Sequence, residues 1–196
     1  MKNNRAIGLF GGSFNPAHQG HMHVAGCGLK QLGLDEIWWM VSPQNPLKTK
    51  QPPYNERVQS IKNLPLRPRM KISHMERDFG TNYTLDTLRR AKERWPNTHF
   101  VFLMGADNLL DFCKWKGWRE IIETVPIAVI ARPGQKNSTT LKARLSPVAR
   151  LYNYARIPEI RSHTLAQYEA PAWTYITPPL NPLSSTALRK KLALTA

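Results

Sequence analysis

The sequence predicts an α/β fold, an open, mainly parallel, doubly wound (Rossmann-like) sheet with helices on both faces. Three observations carry that expectation. Apolar runs of strand length alternate with helical patterns through residue 131, and most of those runs stop at a glycine or proline. Gly11, Gly12, Gly105, Asp107 and Arg132 then fall just after expected strand ends, where ligands bind in such folds.

The first run, Arg5 to Phe10, is apolar at Ala6, Ile7, Leu9 and Phe10, so it reads as a buried strand ending in a glycine turn. His18 to Leu32 lacks proline and repeats Val24, Gly28 and Leu32 at a spacing of four, which predicts a helix ended by Gly33. Glu36 to Val41 completes a strand, helix, strand unit. Four prolines between Ser42 and Tyr54 forbid regular structure there and make a loop. Helices are expected over Asn55–Leu64, Thr84–Arg94 and Trp118–Glu123, and strands over Lys71–His74, His99–Met104 and Ile127–Ala131. Gln135 to Thr140 reads as a flexible loop, Leu141 to Arg156 as a helical segment, Trp173 to Ile176 as a last strand and Ser184 to Leu194 as a short helix.

With 196 residues, 41% hydrophobic and 21% charged, the chain has the balance of a globular domain, and one domain is the default. No apolar run nears the roughly 20 residues needed to span a bilayer and the polar start lacks a leader pattern, so a cytoplasmic location is expected. Cys27 and Cys113 lie far apart in periodic segments and read as reduced, packed thiols. A formal charge of +15 attracts phosphorylated ligands, but the basic residues are scattered instead of massed as in an RNA-binding tail. A nucleotide enzyme fits that distribution, and nucleic acid is not the expected partner. Self-association is left open.

Residues 8–21, with the central run Gly11-Gly12-Ser13-Phe14-Asn15-Pro16-Ala17-His18-Gln19-Gly20-His21, join a strand to a helix through adjacent glycines. Glycine lets backbone approach a ligand closely, and the helix start adds N–H donors and a positive dipole end, so the segment is built to bind an anion. His18 and His21 lie three apart and put both rings beside that position, with Gly20 leaving room between them. His18, His21 and His23 could also suggest a metal site. That reading is disfavoured, because the spacing is not a zinc-protease pair and His23 points off the shared face. At the other end, Ser184-Ser185-Thr186 precedes Arg189 at a helix start, where hydroxyls and a guanidinium suit phosphate oxygens.

On these residues the chain resembles the nucleotidyltransferases marked by His-x-Gly-His, a motif shared with class I aminoacyl-tRNA synthetases. Within that superfamily it resembles the bacterial nicotinate-nucleotide adenylyltransferases. Asn15 stands where many members carry aspartate, and in Leu183-Ser184-Ser185-Thr186-Ala187-Leu188-Arg189 leucine replaces isoleucine in the second motif.

The resemblance implies a single nucleotidyltransferase domain over residues 1–196, with the segment 184–194 completing an ATP site. It implies adenylyl transfer from ATP to nicotinate mononucleotide, with magnesium bound through the ATP phosphates and no dedicated protein metal site. His18, His21 and Arg189 are the implied catalytic residues. Gly11, Gly12, Ser13, Phe14, Gly105, Asp107, Ser185 and Thr186 join them around ATP. Thr84 and Trp115, with Lys48 and Arg132, are implied for the nicotinate nucleotide, Trp115 as a stacking platform for the pyridine ring. Each has a plainer structural reading, for Thr84 a helix cap and for Gly105 and Asp107 a turn. A sibling enzyme acting on nicotinamide mononucleotide or pantetheine phosphate, and a non-catalytic RNA-binding protein, are the alternatives.

Overall fold

Six parallel strands lie in the order β3-β2-β1-β4-β5-β6, the arrangement of a doubly wound nucleotide-binding sheet. The computed structural model describes residues 5–44, 51–131 and 137–177. The strands are β1 (Arg5–Gly12), β2 (Glu36–Val41), β3 (Met70–Ser73), β4 (Thr98–Gly105), β5 (Ile127–Ile130) and β6 (Trp173–Ile176). The helices are α1 (Gln19–Gln31), α2 (Tyr54–Lys62), α3 (Met75–Asp78), α4 (Thr84–Arg94), α5 (Ala106–Asp111), α6 (Trp118–Thr124), α7 (Asn137–Arg144) and α8 (Pro147–Leu151). Among the described residues no helix is long and apolar enough to cross a membrane.

Side-chain alternation along the strands decides the layering. In β4, Phe100, Phe102 and Met104 enter one core while Val101 and Leu103 enter the other, and β5 divides the same way between Ile127, Val129 and Ala128, Ile130. Strands buried on both faces read as continuous apolar runs, which is why these were recognisable. Leu88 of α4, Leu109 of α5 and Ile121 of α6 close the first core. Val24 and Leu29 of α1, Val58 and Ile61 of α2 and Leu165 close the second. Helices therefore cover both faces, as the sequence predicts. Gly28 lets α1 approach closely, since a Cβ there would lie 2.5 Å from Leu103 Cδ2. Gly33, with φ of +62°, follows α1 as its expected terminator.

Several expectations are corrected. β1 does not end at Phe10 but runs through Gly12, because Gly11 and Gly12 pair with Met40 and Val41 of β2. Neither glycine has a positive φ. The flexible loop expected over Gln135–Thr140 gives way from Asn137 onward to α7, whose packing against α5 outweighs weak local propensity. The segment Leu141–Arg156 is not one helix, because Pro147 starts a new one with Ser146 Oγ accepting from the Ala149 N–H at 3.2 Å. α3, α5 and the 3-10 segments Phe112–Lys114, Asn153–Ala155 and Glu159–Gln167 were not foreseen. They are too short or too irregular to show a period. Cys27 and Cys113 are free thiols and only partly buried. The helix expected over Ser184–Leu194 lies outside the described residues.

Candidate active site

β1 and β4 are neighbours at the centre of the sheet, and the chain leaves them in opposite directions, β1 toward β2 and β4 toward β5. The crevice in which such sheets bind ligands is the one beyond the carboxyl ends of the strands at this switch point. The segment after β1 carries Ser13 to His18, while Gly105 ends β4 and caps α5, whose first turn holds Asp107.

Phe14 shapes the first segment. It is a non-glycine residue in left-handed conformation, with φ of +47°, and is almost fully buried. Its ring meets Phe10, Trp39 and His21 at centroid distances of 5.5, 5.2 and 5.1 Å. It also folds back over Gly12, where a Cβ would lie 2.9 Å from the phenyl ring. Gly12 is thus required by packing, not by a positive-φ turn. Strain held by three aromatic contacts in this way is characteristic of a binding loop.

The two histidines form a reciprocal cap on α1. His18, extended at φ of −155°, accepts from the Gly20 N–H at Nδ1 (3.0 Å), and its own N–H donates to His21 Nδ1 (3.2 Å). Both rings are buried, with centroids 3.9 Å apart. Because each Nδ1 accepts, the neutral rings carry their proton on Nε2. Local capping therefore sets the tautomer and places both rings where the helix dipole is positive. The chemistry available is stabilisation of an anion, not metal ligation through Nδ1. His23 lies off this pair, its Nε2 3.6 Å from Cys27 Sγ and its pKa lowered by burial.

An aromatic wall stands behind Gly11. A Cβ on Gly11 would touch the Phe102 ring at 3.1 Å, and Phe102 in turn meets Trp115 edge-on at 6.2 Å. Phe112 holds the other side of Trp115 at 5.4 Å. Gly117, at φ of +67°, starts α6 and sits so close to α4 that a Cβ would lie 2.5 Å from Leu85 Cδ2. This contact ties the Trp115 turn to the start of α4, whose first residue is Thr84. Thr84 is not the cap. Thr81 Oγ1, which accepts from the Tyr83 N–H at 3.1 Å, organises that turn. Trp118 packs at the core boundary, under the Arg119 guanidinium.

Thus the structure brings Gly11, Gly12, Ser13, Phe14, His18 and His21 together, sets Gly105 and Asp107 at the end of the neighbouring strand, and packs Gly117 of the Trp115 turn against Leu85, the residue after Thr84. Lys48, Arg132, Ser185, Thr186 and Arg189 lie outside the described residues.

Arg57 and Glu76 were not singled out from sequence. Arg57 on α2 is almost fully buried and donates from Nη1 to the Ser13 carbonyl (2.9 Å), from Nη2 to the Pro43 carbonyl (2.8 Å) and from Nε to the Pro52 carbonyl (3.1 Å). A signal existed: Arg57 shares a helical face with Val58 and Ile61, so a charge lies on the buried stripe. Burial lowers its pKa, and Glu76 and Tyr54 counter that shift. Glu76 is buried next to it, and desolvation pushes its pKa up to about 7 against the Ser42 hydrogen bond and the Arg57 charge.

Glu76 binds its proton more tightly folded than unfolded, so its contribution to stability is full below about pH 4.5 and is lost as pH rises through about 7. The melting temperature of Glu76→Gln relative to the parent should therefore climb between pH 4.5 and 7 and level off above. A pH-independent difference in calorimetry would contradict the assignment.

The cytidylyltransferase-like family matches residues 9–191. Relatives named as nicotinate-nucleotide adenylyltransferases include one from a Caulobacter species, 49% identical over 93% of this chain and 96% of its own length. Another, from a Ruegeria species, is 44% identical over 96% and 98%. The chain belongs to the nicotinate-nucleotide adenylyltransferase family. Two solved structures of Plasmodium falciparum nicotinic acid mononucleotide adenylyltransferase, one complexed with APC and one with NaAD, align at TM-scores of 0.65 and 0.66. Each covers 95% of this chain and 83% of its own, and at 20% identity the likeness speaks for the fold. For this adenylyltransferase family member, the fold expected from the sequence is thereby confirmed from outside the chain.

Proposed function

We propose that this chain transfers the adenylyl group of ATP to nicotinate mononucleotide, giving nicotinate adenine dinucleotide and pyrophosphate in NAD synthesis. The observation that carries the chemistry is the capped pair His18 and His21, two buried Nε2 donors at the head of α1 beside the switch point. The acceptor follows from the relatives, which are named for the nicotinate nucleotide.

A phosphate oxygen of the acceptor attacks the α-phosphorus of ATP, the bond from that phosphorus to the bridging oxygen breaks, and pyrophosphate leaves with the electron pair. The nucleophile is already an anion, so alignment and charge stabilisation are the protein's main tasks. His18 and His21 donate to the ATP phosphates, with His21 nearest the reacting centre. The segment Gly11 to Phe14 frames the triphosphate, while Gly105 and Asp107 meet the adenosine, Asp107 accepting from ribose hydroxyls. Trp115 stacks on the pyridine, Thr84 bounds it, and Lys48 and Arg132 neutralise the acceptor. Ser185, Thr186 and Arg189 take the outer phosphates, which makes the whole chain one working domain.

Among the described residues no three His, Cys, Asp or Glu side chains gather to hold a metal. Magnesium is expected to be carried by the ATP phosphates and water. Magnesium so held would offset charge on the departing pyrophosphate. The enzyme acts in the cytoplasm in this reading.

Measuring pyrophosphate release with nicotinate mononucleotide, nicotinamide mononucleotide and phosphopantetheine as rival acceptors tests the proposal. The nicotinate form should give the highest kcat/KM. A preference for either rival would reassign the acceptor, and no release with any of the three would end the enzymatic reading.

A further inference from the structure

The segment that carries the phosphate site is fastened from α2. Arg57 and Ser60, three residues apart and so on one helical face, reach the same stretch of chain. Arg57 bonds the Ser13 carbonyl at 2.9 Å, while Ser60 Oγ accepts from the Ala17 N–H at 2.9 Å. Arg57 alone also reaches Pro43 at the end of β2 and Pro52 before α2. Its donors thus fix three backbone carbonyls, one in the β1–α1 connection and two at opposite ends of the β2–α2 connection. Pro43 and Pro52 flank the stretch that contains Lys48.

We infer that Arg57 is a positioning residue for adenylyl transfer, a buried guanidinium that holds the phosphate-binding segment and the flanks of the Lys48 stretch in one fixed relation. The inference rests on the functional reading above. A guanidinium suits the task because its planar fork donates in several directions at once and stays charged when buried. Glu76, hydrogen-bonded to Ser42 beside Pro43, lies near enough for the Arg57 charge to oppose the rise of its pKa. Tyr54 lies beneath it, the guanidinium carbon 5.7 Å from the ring centroid. Lysine cannot reproduce this fork, since one ammonium cannot align with three carbonyls spread around a plane.

The experiment compares the parent chain with Arg57→Ala and Arg57→Lys, well below each melting temperature. In hydrogen–deuterium exchange, residues 13–17 and the flanks 42–44 and 51–54 should lose protection together in Arg57→Ala, while β4 and β5 keep theirs. In steady-state kinetics with ATP and nicotinate mononucleotide, KM should rise for both substrates by about tenfold to a hundredfold. Saturating kcat should fall much less. Arg57→Lys should recover little, and millimolar guanidinium ion should restore KM in Arg57→Ala by refilling the site.

Unchanged exchange in either segment, or a loss of active fraction with both KM values unmoved, would overturn the inference and leave Arg57 a core residue. A parent chain that released no pyrophosphate would instead refute the functional reading, and the exchange result would still decide whether Arg57 ties the two segments.

Discussion

Replacing His21 with alanine should lower kcat by about 100- to 1,000-fold while leaving the KM for ATP within a few-fold of the parent. The expectation follows from where the ring stands. His21 is buried at the head of α1, and its Nδ1 accepts from the His18 N–H. A donor aimed at charge that grows in the transition state contributes to turnover more than to ground-state binding. The alanine variant also removes a capping acceptor, which costs stability of about 1 kcal/mol. His21→Asn keeps an amide able to accept near the cap but cannot reach as far as Nε2. A large kcat defect in both variants places the effect in the chemistry, and recovery in His21→Asn would place it in the cap.

The second large effect is expected at Trp115. Stacking of an aromatic ligand on an indole is worth about 1–3 kcal/mol, so Trp115→Ala should raise the KM for nicotinate mononucleotide roughly tenfold to a hundredfold. The KM for ATP should change little. Because Trp115 also rests on Phe112 and Phe102, the alanine variant loses packing as well. Trp115→Phe retains a ring and much of the contact, and it should restore most of the affinity. Equal rises in both KM values would show that the wall, not the stack, had been damaged.

Much of the fold was legible because buried strands of a parallel sheet are continuous apolar runs. Glu36–Val41, Thr84–Arg94 and Trp173–Ile176 appear with the boundaries expected of them. β1 was misjudged by two residues because Gly11 and Gly12 carry a turn signal, while sheet pairing with β2 keeps them extended. α7 was misread because its start is polar and weakly helical, and only contact with α5 explains it. In the site, His18, His21 and Gly20 announced themselves by spacing. Phe14 did not, since nothing local in the sequence tells that a phenylalanine will take a left-handed φ. Its conformation depends on rings from β1, β2 and α1 arriving around it. Arg57 and Glu76 lie on neighbouring elements, and their partnership needs three dimensions to be seen.

A crystal structure of the protein with a non-hydrolysable ATP analogue bears most directly on the claim that the β1–β4 crevice holds the nucleotide. The triphosphate should lie against the head of α1, with an oxygen within hydrogen-bond distance of His21 Nε2 and the Arg189 guanidinium on its outer phosphates. A nucleotide seated away from the carboxyl ends of β1 and β4, with His21 making no contact to it, would contradict the account.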